Sequence, residues 1–103
     1  MLHLVNYKIT GGSDVKCCFG RCNIGDTVLF IESGVFSVRA GDAVANEIEG
    51  VLAKFTIAAL KPDLAARGIA ESELVRGVQV IDYAKFVDLA VELGPIQSWF
   101  SYW

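Results

Sequence analysis

Five consecutive apolar or β-branched residues, Thr27 to Ile31, stand between Gly25-Asp26 and Glu32-Ser33-Gly34. A strand with one wet face alternates apolar and polar positions. This run does not, so it predicts a short strand buried on both faces, as in the middle of a parallel sheet. Other short apolar runs predict strands at Leu2–Asn6, Lys54–Leu60 and Gly77–Ile81. The segments between them carry helical signals. Ser13 or Asp14 can cap a two-turn helix over Val15–Cys22, weakened at Gly20. Val35–Ala40 reads as a single helical turn ended at Gly41. Asp42 caps a helix over about Ala43–Leu52, whose Val44, Ile48, Val51 and Leu52 share one apolar face. Pro62 at a first helical position, Asp63 in the first turn and Gly68 past the end bracket a short helix. Asp82 caps Tyr83–Leu93, with Phe86, Val87, Ala90 and Val91 as its inner face, and Gly94-Pro95 stops it.

Strands alternating with helices predict an α/β fold, a mainly parallel sheet of about four strands with helices on both faces. The 103 residues fit one domain spanning the whole chain. Val28, Phe30, Ile57 and Val80 are its expected core. The stretch Ile96–Trp103, with Trp99, Phe100, Tyr102 and Trp103, reads as packing or as an interface, because interfaces concentrate such side chains at their buried centre. Hydrophobic residues make up 53% of the chain before its 10 glycines are counted. That exceeds the typical share of about 45–50% with glycine included. A sheet covered on both faces would account for the excess, and so would an apolar subunit interface.

Charge narrows the function. Nine basic and twelve acidic residues give a net charge of −3. The basic residues are scattered, so direct nucleic-acid binding is not expected. The longest uncharged run, from Leu93 to the end, is too short for a membrane span of about 20 residues. The N-terminus shows no signal-peptide pattern. A soluble cytoplasmic protein is expected. Three cysteines fit a reducing compartment better than a disulfide framework.

Familiar catalytic patterns are missing from the sequence. Gly11-Gly12 lacks the spacing of a phosphate loop, and no serine sits in a nucleophile elbow. The chemistry-bearing residues that remain are Cys17, Cys18 and Cys22 on the first predicted helix, near Lys16 and Arg21. Cations favour the thiolate, the form that attacks or carries sulfur. Cysteine is equally a small buried hydrophobe. By spacing, Val15, Cys18, Phe19 and Cys22 share the inward face, with Cys17 outside it. Three thiols on one helix cannot close a zinc tetrahedron, so no metal or cofactor is expected. His3 reads as a packed strand-end residue rather than a base. Glu32 reads as solvated or as a partner contact.

The chain resembles the TusB/DsrH family of sulfur-relay proteins. The resemblance rests on Leu2-His3, on the run from Gly25 to Val35, on Ala59–Gly68, on Ile81–Leu89 and on Gln97-Ser98-Trp99, in that order along the chain. It implies a DsrE-like α/β fold. It also implies a subunit of a heterohexamer with paralogous DsrE/TusD-like and DsrF/TusC-like chains, passing persulfide sulfur toward tRNA 2-thiouridine or within dissimilatory sulfur oxidation. In both branches the principal sulfur carrier belongs to a sister subunit, which makes this chain mainly structural. The sulfur-oxidation branch carries a cysteine in the first helix. Cys18 falls at that place and is the candidate sulfur-accepting thiol, which sets the chain nearer the DsrH side. Cys17 and Cys22 are not part of the family pattern. The competing reading is a stand-alone oligomeric interaction module without sulfur chemistry.

Overall fold

The computed structural model describes residues 1–9, 19–41 and 44–99. Five short strands appear: β1 (Leu2–Val5), β2 (Thr27–Phe30), β3 (Thr56–Leu60), β4 (Gln79–Ile81) and β5 (Ile96–Trp99). All pair in parallel, in the order β4-β3-β2-β1-β5. β2 is the middle strand and its four residues are buried. Val28 lies in register with His3 on one side and Ile57 on the other. The unalternating run Thr27–Ile31 is therefore central because both its edges and both its faces are covered.

The two-residue period of each strand divides the core in two. Val5, Val28, Phe30, Ile57 and Ala59 face one layer. There they meet Val35 and Val38 from a 3₁₀ helix (Glu32–Val38), and Val44 and Ile48 from around α1 (Ala45–Val51). Leu2, Leu4, Leu29, Ala58 and Leu60 face the other layer. That layer is covered by α3 (Tyr83–Leu93), after the short helix α2 (Lys61–Ala66) and a 3₁₀ turn (Glu71–Glu73). Each fully buried Val, Leu, Ile or Phe of these sets contributes about 1.5–3 kcal/mol. Asp82 starts α3 by accepting the Lys85 N–H at 2.9 Å, a cap worth about 1 kcal/mol.

Three expectations change. Val80 is only half-buried, because β4 is an edge strand and lacks a neighbour on its outer side. The inner face of α3 is Phe86, Leu89, Ala90 and Leu93, while Val87 and Val91 are 60% and 80% exposed. The i, i+3, i+4, i+7 stripe closes better on a flat sheet than the i, i+1, i+4, i+5 set. The aromatic tail begins as a fifth strand beside β1, and residues 100–103 lie outside the described set. The first predicted helix also falls largely outside it, and the part that is described ends sooner than expected: Gly20 and Arg21 form a turn, as glycine favours, and Cys22 follows it in a loop.

Candidate functional site

At the carboxyl end of β2 the chain turns sharply. The Ile31 N–H extends the ladder to the Val5 carbonyl at 2.9 Å. Glu32 then takes a left-handed backbone conformation, φ 51°, which costs a non-glycine residue on the order of 1–2 kcal/mol. Asp63, in the first turn of α2, offsets part of that by accepting the Glu32 N–H at 2.8 Å. Arg67 stands one turn on, 3.8 Å from the Asp63 carboxylate. The Glu32 and Ser33 side chains are exposed on this fixed backbone. Gly34 follows, buried so tightly that a Cβ would run into the Val5 carbonyl. The pattern of sheet and turn makes this a rigid corner with an outward-facing carboxylate.

At the opposite, amino end of the sheet, Asp26 precedes β2 with its side chain 9% exposed. Its Oδ1 lies 3.1 Å from the Met1 ammonium, and its Oδ2 accepts the Asn23 N–H at 2.9 Å. His3 Nε2 is also 2.9 Å from Oδ2. Burial alone would raise the Asp26 pKa. The Asn23 N–H, His3 and the ammonium outweigh burial and hold it at about 2. The carboxylate is therefore ionised at neutral pH, and the imidazole donates to it. His3 is almost wholly buried, as a packed strand residue should be, but its packing is polar. In the sequence Asp26 stands out only as part of the turn Gly25-Asp26. A carboxylate just ahead of a buried strand was a signal, yet only the β1–β2 register places it beside His3.

Cys17 and Cys18 lie outside the described residues, so the candidate thiol Cys18 has no described geometry. Two of the four residues expected on the inward face are described. Phe19 is buried and stacks on Phe55 with centroids 6.0 Å apart. Cys22 is half-buried against the same core layer. The fold brings Cys22 to the Asp26 end of the sheet: its Sγ, a His3 ring nitrogen and an Asp26 carboxylate oxygen all lie within 4.8 Å of one another. A thiol and a carboxylate from the loop before β2 thus meet an imidazole from β1 in one cluster. Among the described residues, no helix is long and apolar enough to cross a membrane.

Comparison with known proteins gives a consistent answer. The family model described as DsrH like protein matches residues 11–94. Protein TusB of Photorhabdus laumondii is 37% identical over 75 residues, covering 73% of this chain and 76% of that one. Protein TusB of Pectobacterium parmentieri is 31% identical over 87 residues, covering 84% and 88%. Among solved structures, the ychN protein from E. coli superposes with a TM-score of 0.75 at 12% identity, over 95% of this chain and 97% of its own. A protein of unknown function from Methanobacterium thermoautotrophicum gives 0.69 at 15% identity, over 95% and 99%. At those identities the structural likeness speaks to the fold alone.

Proposed function

The chain belongs to the DsrH family, and on that premise we propose that it is a subunit of a cytoplasmic sulfur-relay complex. The observation that carries this is the match to TusB proteins over most of the length of both chains. Its role is mainly structural: it completes a heterohexamer with DsrE/TusD-like and DsrF/TusC-like chains. The surface of the fold supports assembly. Tyr83, Val87 and Val91 form an exposed stripe along α3, with Ile96 of the edge strand β5 also exposed. Apolar stripes of this kind mark contact surfaces.

Cys18 serves as an auxiliary thiol. In that role its thiolate attacks the terminal sulfur of a partner's cysteine persulfide. A new S–S bond forms at Cys18, the partner's S–S bond breaks, and the partner leaves as a thiolate. No oxidant or reductant is consumed. The TusB relatives favour the tRNA 2-thiouridine branch. Cys18 favours the sulfur-oxidation branch, and this second reading rests on that residue alone.

Two experiments test the proposal. The tagged chain, expressed with its two paralogues, should purify as a three-component complex; a chain that purifies alone or only with itself supports the stand-alone module. Persulfide loading of that complex, followed by peptide mass spectrometry, should place sulfur on Cys18 in the wild type and in Cys17→Ser but not in Cys18→Ser. Loading that survives Cys18→Ser and disappears in Cys17→Ser moves the role to Cys17. Relay activity unchanged in both variants leaves the chain a scaffold.

A further inference from the structure

The cluster at the amino end of the sheet is not needed by the relay reading, which places its thiol at Cys18. We propose that Cys22, His3 and Asp26 form a binding site for a divalent transition-metal ion of the zinc class. The three side chains offer sulfur, nitrogen and oxygen, all within 4.8 Å of one another. Zinc bonds of about 2.0–2.3 Å place the donors of a tetrahedron roughly 3.3–3.7 Å apart. Side-chain adjustments on the order of 1 Å reach that spacing from the present one.

Donor chemistry selects the ion. A thiolate and an imidazole exclude magnesium and calcium, which take oxygen ligands, and suit zinc and its neighbours. The charges of the donors suit a divalent cation as well. On binding, Cys22 gives up its proton, the His3–Asp26 hydrogen bond opens, His3 ligates through one ring nitrogen while the other keeps the proton, and Asp26 is already a carboxylate. Two negative charges then meet a divalent cation, with the Met1 ammonium adding one positive charge on the outer side of Asp26, in a site where His3 is 1% and the Asp26 side chain 9% exposed.

The surroundings have the features of a metal site. The Asn23 N–H and the Met1 ammonium hold the Asp26 carboxylate from outside, the outer hydrogen bonding that orients metal ligands. An entry path exists, since Cys22 is half-buried and Arg21, Asn23, Ile24 and Gly25 around it are exposed. Three protein donors leave a fourth position for water or another ligand, the arrangement of an open rather than a closed site. The donors do not sit on one helix: His3 is in β1, while Cys22 and Asp26 flank the loop before β2, so the three can converge on one ion.

The test uses the full reduced chain after chelator treatment, titrated with Co²⁺ and then Zn²⁺. One equivalent of Co²⁺ should produce a thiolate-to-cobalt charge-transfer band that Zn²⁺ displaces. The Cys17→Ser/Cys18→Ser double variant should keep the band, and Cys22→Ser should lose it. Asp26→Asn should weaken Zn²⁺ binding at least 10-fold in competition with a chromophoric chelator. Circular dichroism verifies folding of each variant; Cys22→Ala replaces Cys22→Ser if the latter misfolds. Absence of the band in the folded wild type, or its persistence without Cys22, overturns the site. Neither result bears on assembly with paralogues or on persulfide loading at Cys18.

Discussion

Gly34→Ala is the sharpest perturbation of the corner that ends the central strand. The added methyl would strike the Val5 carbonyl oxygen, lie 3.1 Å from the Val5 carbonyl carbon and 3.4 Å from the Tyr7 nitrogen. All three are backbone atoms. The Val5 carbonyl cannot swing away freely, because it accepts the Ile31 N–H at 2.9 Å. The Gly34 N–H is itself tied to the Ile31 carbonyl at 2.8 Å. Relief therefore requires the 3₁₀ helix Glu32–Val38 to lift off the sheet or β1 to part from β2. Overpacking of this kind costs about 1–3 kcal/mol. The smaller conformational entropy of an unfolded alanine returns about 0.4–1 kcal/mol. A net loss of about 1–2 kcal/mol should lower Tm by roughly 5–15 °C in a domain of this size. Gly50→Ala is the matched control. It lies exposed in α1 with nothing within 4 Å of its would-be Cβ, and should stabilise by about 0.5–1 kcal/mol. Thermal and urea unfolding of both variants, followed by circular dichroism, decides the matter. A Gly34→Ala variant as stable as wild type, or no worse than Gly50→Ala, refutes the close approach.

Asp26 sets an acid limit. Its pKa falls from 3.8 to about 2 on folding, so its contribution is fully present above pH ~4 and is lost as pH drops toward 2. In chelator-containing buffer, wild type should exceed Asp26→Asn by on the order of 1–2 kcal/mol at pH 7, with the gap closing between pH 4 and 2; a pH-independent gap contradicts this. Leu89→Ala should destabilise by roughly 1–2 kcal/mol while Val87→Ala stays within about 0.5 kcal/mol, and reversed values in urea titrations would mean α3 is rotated the other way. Val91→Asp should leave Tm unchanged and weaken co-purification with the paralogues; unchanged co-purification removes that stripe from the interface.

Local pattern carried much of this protein. An unalternating apolar run has few places to go in a small α/β domain, so Thr27–Ile31 was legible as the central strand. Asp82 and Gly94-Pro95 marked the helix Tyr83–Leu93 because caps and stops act within a few residues, and the backbone follows them residue for residue. Spacing likewise turned Phe19 inward, where it packs on Phe55, whereas Cys22 reaches the same layer from the loop that follows. Other features depended on what lies opposite. Whether Val80 is covered depends on which strand is last in the sheet, and no property of its own run encodes that. Val87 and Leu89 are both apolar and two residues apart; only the docking angle of the helix selects one of them. Ile96–Trp99 became a strand because β1 had a vacant edge, a fact about strand order rather than about the tail. The cluster of His3, Cys22 and Asp26 was the least legible of all. His3 stands in β1 while Cys22 and Asp26 flank the loop before β2, and parallel pairing of Leu2–Val5 with Thr27–Phe30 is what brings His3 within reach of the other two.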